Sequence, residues 1–543
     1  LVYRDLGQLE KAIDCFEKSI QIEPKHLDAH NNLGLVYKDS KELQKAIDCF
    51  EKTIEIEPRY ALAYSNLGLV YRDLGQLEKA IDYFEKAIGI KPNHVGTHNN
   101  LGLVYRDLGQ LEKAIDCFEK AIQINSNYVA AHSNLGNLLN SLGNFKKGRI
   151  HFEKAIEIQP HNPVARANFG GLEKSLGNFK KAISHFEEAT KYEPDSLVYH
   201  YQLSLLKNEI LDSDLKNKIF EIMNKKNSSN ENIAYGNFLL AKYEEKLENY
   251  KNEFNYLLKG HEYFLKTKEK KFNKEILLKI FPNIHKSMML DKSDNSLEKA
   301  NDKIKPIFIF GLPRSGSTLV EKIVASSNEY IPMGEETGVI GTYIAERLKS
   351  KQSLDFNSAN YKNVLTERYN QKKLITKDSN YIFTDKSLDN FFHIKLIKKI
   401  FPNAKLINCK RDILSTIISI IKSHLIYVPW AHNLEDIFKY FDNYHQIIKS
   451  MNGLFPNSIY ELQYEKLVND PVMESKKLLE FCNLPWNTKC LEFYKRKDIF
   501  SKTASNIQIR RAIYKDATKK YFPYKGFFDK YKNKYHWLNN ENI

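Results

Sequence analysis

The chain has 543 residues, too many for one ordinary core, so two or three domains are expected. Its 42% hydrophobic content is that of a globular protein, and the absence of any apolar run of eighteen residues excludes a membrane-spanning helix. The net charge of +15 is uneven: residues 1–200 hold 25 Lys+Arg against 27 Asp+Glu, and the remainder 57 against 40.

A basic C-terminal portion suits an anionic ligand. A nucleotide is expected there rather than nucleic acid, although a Lys- and Asn-rich composition alone would give the same charge. No leader peptide is visible. The chain opens on Leu1 inside a repeat, so the natural N-terminus is expected upstream, and a targeting segment there stays open. Of six cysteines, Cys15, Cys49 and Cys117 share one repeat position. Cys409, Cys482 and Cys490 lack metal-ligand spacing. Free thiols in a reducing, cytoplasmic setting are the expectation, with no metal.

Residues 1–204 repeat every 34 positions in six units; Leu1–Gly34 recurs at once as Leu35–Gly68. Each unit reads as two amphipathic helices, the first carrying Leu33, Gly34 and Tyr37 and the second Ala46 and Phe50. Gly34 lets helices approach, and Pro58 marks a helix stop. This pattern resembles the tetratricopeptide repeat, which implies stacking into a superhelix with a concave face. Asn32, Asn66, Asn100, Asn134 and Asn168 occupy one position of five successive repeats. An Asn side chain offers a donor and an acceptor together, so it can pair with a peptide backbone without reading its sequence. The row resembles the asparagine ladder of O-GlcNAc transferase repeats. That resemblance implies a polypeptide acceptor or partner protein in the groove; a solvated polar groove, or Asn inherited in recent repeat duplication, is the alternative.

Residues 205–304 lose the strict period but keep a helical pattern. Leu239–Phe264 looks like a worn repeat, with Tyr243 and Tyr256 at aromatic positions. The segment is expected to be a helical connector without chemistry of its own.

From residue 305 to 543 the pattern changes. Pro306–Phe310 (PIFIF) predicts a buried strand, GLPRSGST a glycine-rich turn and LVEKIVAS a helix. Strand, turn and helix together present backbone N–H groups to a phosphate. Gly311 and Gly316 are spaced as in a nucleotide triphosphatase loop, but Ser317 stands where that loop needs Lys, and Arg314 lies inside it. GEETGVI follows at Gly334–Ile340. YIFTDKSLDN predicts a strand ending at Asp385-Lys386, where ligands gather in parallel sheets. Ala404–Cys409 predicts another strand, closed by Arg411, with a helix from about Asp412 and Ser419 eight residues after Arg411.

These elements, in this order over about 305–530, resemble the sulfotransferases, above all the tyrosylprotein branch. The implied fold is an N-terminal all-α repeat superhelix followed by an α/β domain, P-loop-like, with a central parallel sheet. The implied co-substrate is 3′-phosphoadenosine 5′-phosphosulfate (PAPS). By the resemblance, Pro313, Arg314, Ser315, Gly316, Ser317 and Thr318 bind the 5′-phosphosulfate, and Arg411 with Ser419 binds the 3′-phosphate. Tyr464 meets the adenine, and Ser505 and Lys520 meet the donor phosphates. Glu336 is the implied base, with Glu335 its nearest rival and His424 the next candidate. Lys386 and Arg314 are the implied charge stabilisers. A phenol with a pKa near ~10 needs such a base at neutral pH.

Three departures bear on the acceptor and the setting. The family's GEET continues with Arg where this chain has Gly338. A further family Arg aligns with Ser423, for which Lys422 is the possible substitute. Met333 stands where luminal animal enzymes carry Cys. Protein tyrosine is the expected acceptor; a glycan or small hydroxyl compound, or a non-catalytic scaffold, is the alternative.

Overall fold

The computed structural model describes residues 1–268, 274–290, 303–328, 331–350, 360–377, 381–496, 512–513 and 521–539. Two compact units divide the chain: Leu1–Lys174 with Asn178–Leu206, and Lys207–Ile543 with Ser175–Gly177.

The first unit is a superhelix of antiparallel helix pairs. One pair is Leu27–Asp39 with Leu43–Ile56, and the pattern returns 34 residues on as Ala61–Asp73 with Leu77–Ile90. Leu43–Ile56 ends two residues before Pro58, as the proline requires. A Cβ on Gly34 would lie 2.7 Å from the Phe50 ring, so the glycine is what seats each buried phenylalanine between helices. The same close approach recurs at Gly68, Gly102, Gly136 and Gly170. The five asparagines are half-buried on the first helices. Asn66 donates from Nδ2 to Asn31 Oδ1 (2.8 Å), and Asn134 to Asn99 Oδ1 (2.9 Å), so neighbouring repeats are cross-linked along this row.

In the second unit four strands form one parallel sheet: β1 (Lys305–Gly311), β2 (Ile382–Asp385), β3 (Lys405–Lys410) and β4 (Ile459–Gln463), in the spatial order β2-β1-β3-β4. Six of the seven β1 residues are buried, which is why PIFIF reads as an unbroken apolar run. One face packs Ile307, Ile309 and Ile407 against Val320, Ile323 and Val324.

From Lys207 onward the connector belongs to this second unit. Helices α1 (Asn230–Lys246) and α2 (Tyr250–Lys268) pair, with Gly260 approaching Phe238 as in the repeats. They also carry buried polar contacts to the sheet domain. Glu253 (1% exposed) receives Lys422 Nζ at 2.7 Å and the Tyr524 hydroxyl. Glu245 holds the same ammonium at 2.8 Å. His261 Nε2 lies 2.8 Å from the Ile421 carbonyl and its Nδ1 lies 2.9 Å from His432 Nδ1. A neutral imidazole has one N–H, so His261 donates to Ile421 and accepts from His432.

That arrangement needs both rings neutral. Burial lowers the His261 pKa from 6.5 to about 4, and burial together with the charge of His261 lowers that of His432 to about 3. A pKa lowered on folding gives stability that is complete above about 6.5 and is lost as pH falls towards 4, because the unfolded chain binds the extra protons. About 3 kcal/mol is at stake for His261 alone. The thermal midpoint is expected to fall steeply between pH 6.5 and 4, and His261→Phe to flatten that slope in calorimetric scans.

Candidate active site at the carboxyl ends of the sheet

Each strand delivers one sequence-predicted residue at its carboxyl end. After β1 comes the turn Gly311–Gly316, which leads into helix α3 (Ser317–Ala325). Lys386 follows β2, Arg411 follows β3 and Tyr464 follows β4. The chain turns from one side of the sheet to the other between β1 and β3, the place where open α/β sheets form a ligand crevice.

The turn is built tightly across that crevice. Gly311 has φ 145°, and a Cβ there would sit 2.4 Å from the Cys409 carbonyl of β3. Gly316 has φ 93°, and its Cβ would sit 2.5 Å from Tyr464 Cδ2. Gly316→Ala is therefore expected to push Tyr464 aside and cost about 1–3 kcal/mol, read as a thermal midpoint several degrees lower. Pro313 and Ser315 are buried, and Ser315 Oγ has no hydrogen-bond partner among the described residues. Ser317 and Thr318 open α3, buried on its first turn.

Arg314 lies at φ 70°, a strained conformation for a side-chain-bearing residue. Its Nε donates to Ser419 Oγ at 3.1 Å, and Arg411 Nη1 donates to the Arg314 carbonyl at 3.0 Å. Arg411 also stands 4.9 Å from the Tyr464 ring centre. Ser419 lies on α4 (Ile413–Ser423), capped by Asp412, whose carboxylate accepts from the Ser415 N–H at 2.6 Å. Arg314, Arg411, Ser419 and Tyr464 thus form one contiguous group.

On the other flank, Lys386 (1% exposed) places its ammonium 3.0 Å from Glu336 and 3.6 Å from Glu335. Backbone pairing fixes this pair: Lys386 N–H donates to Gly334 O and Glu336 N–H to Lys386 O, each at 3.0 Å. The Glu336 side chain is 54% exposed and that of Glu335 only 10%, so Glu336 faces outward. Glu336, at φ 52°, shares the left-handed conformation of Arg314. Burial opposes charge on Lys386, but Glu336, Glu335 and Glu321 more than offset it and raise its pKa above 10.5.

Some expectations land elsewhere. Lys422 is held by Glu245 and Glu253, so its charge serves the connector and not a phosphate. His424 is buried in an aromatic cluster, 4.2 Å from the Phe238 ring and 4.5 Å from Phe264. Ser505 and Lys520 lie outside the described residues.

Sequence reasoning passed over Asp389, Thr384 and Glu321. Asp389 accepts from the Tyr440 hydroxyl, and burial, partly opposed by that bond and aided by the Glu336 charge, raises its pKa to about 6. A signal for Glu321 was present: a Glu-Lys pair inside the otherwise apolar stretch Leu319–Ala325.

The comparisons with known proteins find matches for both units. Residues 306–488 match the sulfotransferase family, and tetratricopeptide-repeat models match 1–41, 25–93, 102–143, 129–162 and 165–196. The chain therefore joins tetratricopeptide repeats to a sulfotransferase-family domain. It is 29% identical over 316 residues to an uncharacterised protein of Aquifex aeolicus, covering 54% of this chain and 40% of that one. Protein-tyrosine sulfotransferase A of Caenorhabditis elegans is 28% identical over 207 residues, covering 34% and 51%. Protein-tyrosine sulfotransferase 1 of Danio rerio is 26% identical over 213 residues, covering 35% and 56%. The chain thus spans about half the length of these relatives or less. Among solved structures, MamA is 27% identical with TM-score 0.26, covering 29% of this chain and 92% of that one. A thermophilic repeat protein of Thermus thermophilus is 20% identical with TM-score 0.31, covering 33% and 98%.

Proposed function

We propose that the second unit transfers a sulfuryl group from PAPS to a hydroxyl acceptor, protein tyrosine first, and that the repeats hold polypeptide. The observation that carries this is the convergence of a phosphate-type turn, an arginine–serine group and a Lys386–Glu336 pair at one end of one parallel sheet. Ser317 in place of the triphosphatase lysine speaks against ATP or GTP as the donor.

The residues fit such a donor. Ser315 Oγ is buried and lacks a partner among the described residues, as a ligand oxygen would require. The turn admits no side chain at Gly311 or Gly316, so backbone can approach phosphate closely. Pro313–Thr318 would hold the 5′-phosphosulfate, Arg411 and Ser419 the 3′-phosphate, and Tyr464 the adenine. Arg314, now bonded to Ser419, would reach the phosphosulfate by turning its side chain. Ser505 and Lys520 remain the proposed further phosphate contacts.

In the reaction the acceptor oxygen bonds to sulfur as the sulfur–oxygen bond to the 5′-phosphate breaks. Glu336 takes the hydroxyl proton, and Lys386 and Arg314 meet the charge that grows on the leaving oxygen. Catalysis of this kind is positioning plus electrostatics, and the proposed residues supply both. A reducing, cytoplasmic setting belongs to the same reading; all six cysteines are thiols.

Profiling the full chain with radiosulfur-labelled PAPS against tyrosine peptides, glycans and small hydroxyl compounds tests the assignment. Label on tyrosine supports it, label only on a glycan or small compound reassigns the acceptor, and label on none leaves a repeat scaffold. Replacing Asn32, Asn66, Asn100, Asn134 and Asn168 together with Ala is expected to raise the polypeptide KM about tenfold with kcat kept. An unchanged KM removes peptide binding by that row.

A further inference from the structure

Behind the Lys386–Glu336 pair lies a buried carboxyl to which the proposed chemistry assigns no task. Glu321, on α3, is fully buried. Its Oε1 accepts from Thr384 Oγ1 at 2.7 Å, and that hydroxyl oxygen accepts from the Gly334 N–H at 3.2 Å. Thr384 N–H donates to Pro332 O, and Lys386 N–H to Gly334 O, each at 3.0 Å. Residues 332–336 are thereby laced to the end of β2, and Glu321 anchors the lacing from behind. Its second oxygen, Oε2, is buried and has no hydrogen-bond partner among the described residues.

Such a group is a liability to the fold. The charged groups facing it are Lys322 on its own helix, Glu335 from the segment leading to Glu336, and Lys386 from the end of β2, with the Thr384 hydroxyl beside them. Burial raises the Glu321 pKa from 4.5 to about 7, with Lys322 and Lys386 opposing and Glu335 adding. A carboxyl whose pKa rises on folding takes stability away as pH climbs from about 4.5 through 7, since the unfolded chain gives up the proton first. A glutamine would keep the bond to Thr384 without that loss. Sites that trade stability in this way are commonly functional ones.

Resting on the sulfuryl-transfer reading, we propose that Glu321 is a positioning residue for the Lys386–Glu336 pair. It holds the Gly334–Glu336 turn through Thr384 and, once ionised, places a negative charge near the Lys386 ammonium. Its influence is electrostatic and passes through other residues; it touches no reacting atom.

Glu321→Gln in the full chain separates charge from packing. The basic limb of its kcat–pH profile is expected to move about half a unit lower, because Lys386 loses a neighbouring negative charge. The plateau rate is expected to fall several-fold while the donor KM stays unchanged. Thr384→Val, which cuts the lacing but keeps the carboxyl, is expected to lower kcat without moving the limb. A Glu321→Gln profile that superimposes on the parent overturns the inference. If Lys386→Met and Glu336→Gln abolish transfer in the same assay, the sulfuryl-transfer reading survives that result; if they too leave it unchanged, the reading itself falls. Thermal midpoints give an arm independent of activity. The midpoint of Glu321→Gln relative to the parent is expected to rise from pH 5 to pH 8, and a difference independent of pH overturns the inference as well.

Discussion

Lys386→Ala is expected to lower sulfuryl transfer by about 10²- to 10³-fold, the scale for removing one preorganised electrostatic group from a water-poor site. The lysine is held by its own surroundings: 1% exposed, at the end of a parallel strand, with Glu336 at 3.0 Å and Glu335 at 3.6 Å. Those carboxylates keep it charged across neutral pH despite burial. Removing it takes a buried ammonium from between Glu335 and Glu336, so the variant is also expected to be less stable, by about 3 kcal/mol or more. Loss of rate and loss of fold can be told apart. Lys386→Met combined with Glu336→Gln removes both charges of the closer pair, and is expected to recover part of the thermal midpoint and none of the turnover. Turnover within a few-fold of the parent in either variant would take Lys386 out of the chemistry. Midpoints come from calorimetry, and rates from the labelled-donor assay.

The parts of this architecture that were legible in sequence are those written in local pattern. A 34-residue period fixes the repeats, since Gly34 and Phe50 meet within one helix pair. The run PIFIF followed by glycines fixes β1 and its turn, and Asp412 caps α4 where a helix start was expected. What was not legible depends on residues far apart in the chain. Arg314 reaches Ser419 across 105 positions, and Thr384 reaches Glu321 across 63. No period or spacing encodes such contacts. Lys422 is the clearest case. On α4 it stands beside Ser423, which aligns with a family Arg, and was the possible substitute for it, yet Glu245 and Glu253, more than 160 residues earlier, take its charge. A helix shows which face a side chain occupies; it does not show which distant carboxylate will cover that face.

That same ion pair sets the expected fate of shortened chains. A fragment of 305–543 carries the whole sequence resemblance to the sulfotransferases, yet it is expected to be unfolded or aggregated. Cutting there strips Lys422 of both carboxylates, leaves the Tyr524 hydroxyl without Glu253, and opens His432 and His424 to water where α2 now packs. Removing one side of a buried ion pair alone costs about 3–5 kcal/mol. A domain's whole stability is about 5–15 kcal/mol, and the apolar surface uncovered at Tyr524, Phe527 and Phe528, where Phe254 packs, adds to the loss. A fragment of 207–543 keeps every one of these contacts and is expected to unfold in one cooperative transition. Glu253→Ala in that longer fragment is the single-residue counterpart, expected to lower the thermal midpoint by about 5–10 °C. Fragment 305–543 with sharp, native-like dispersion in its NMR spectrum would show that the connector is dispensable, and the helical segment that the sequence left without a task would then have none.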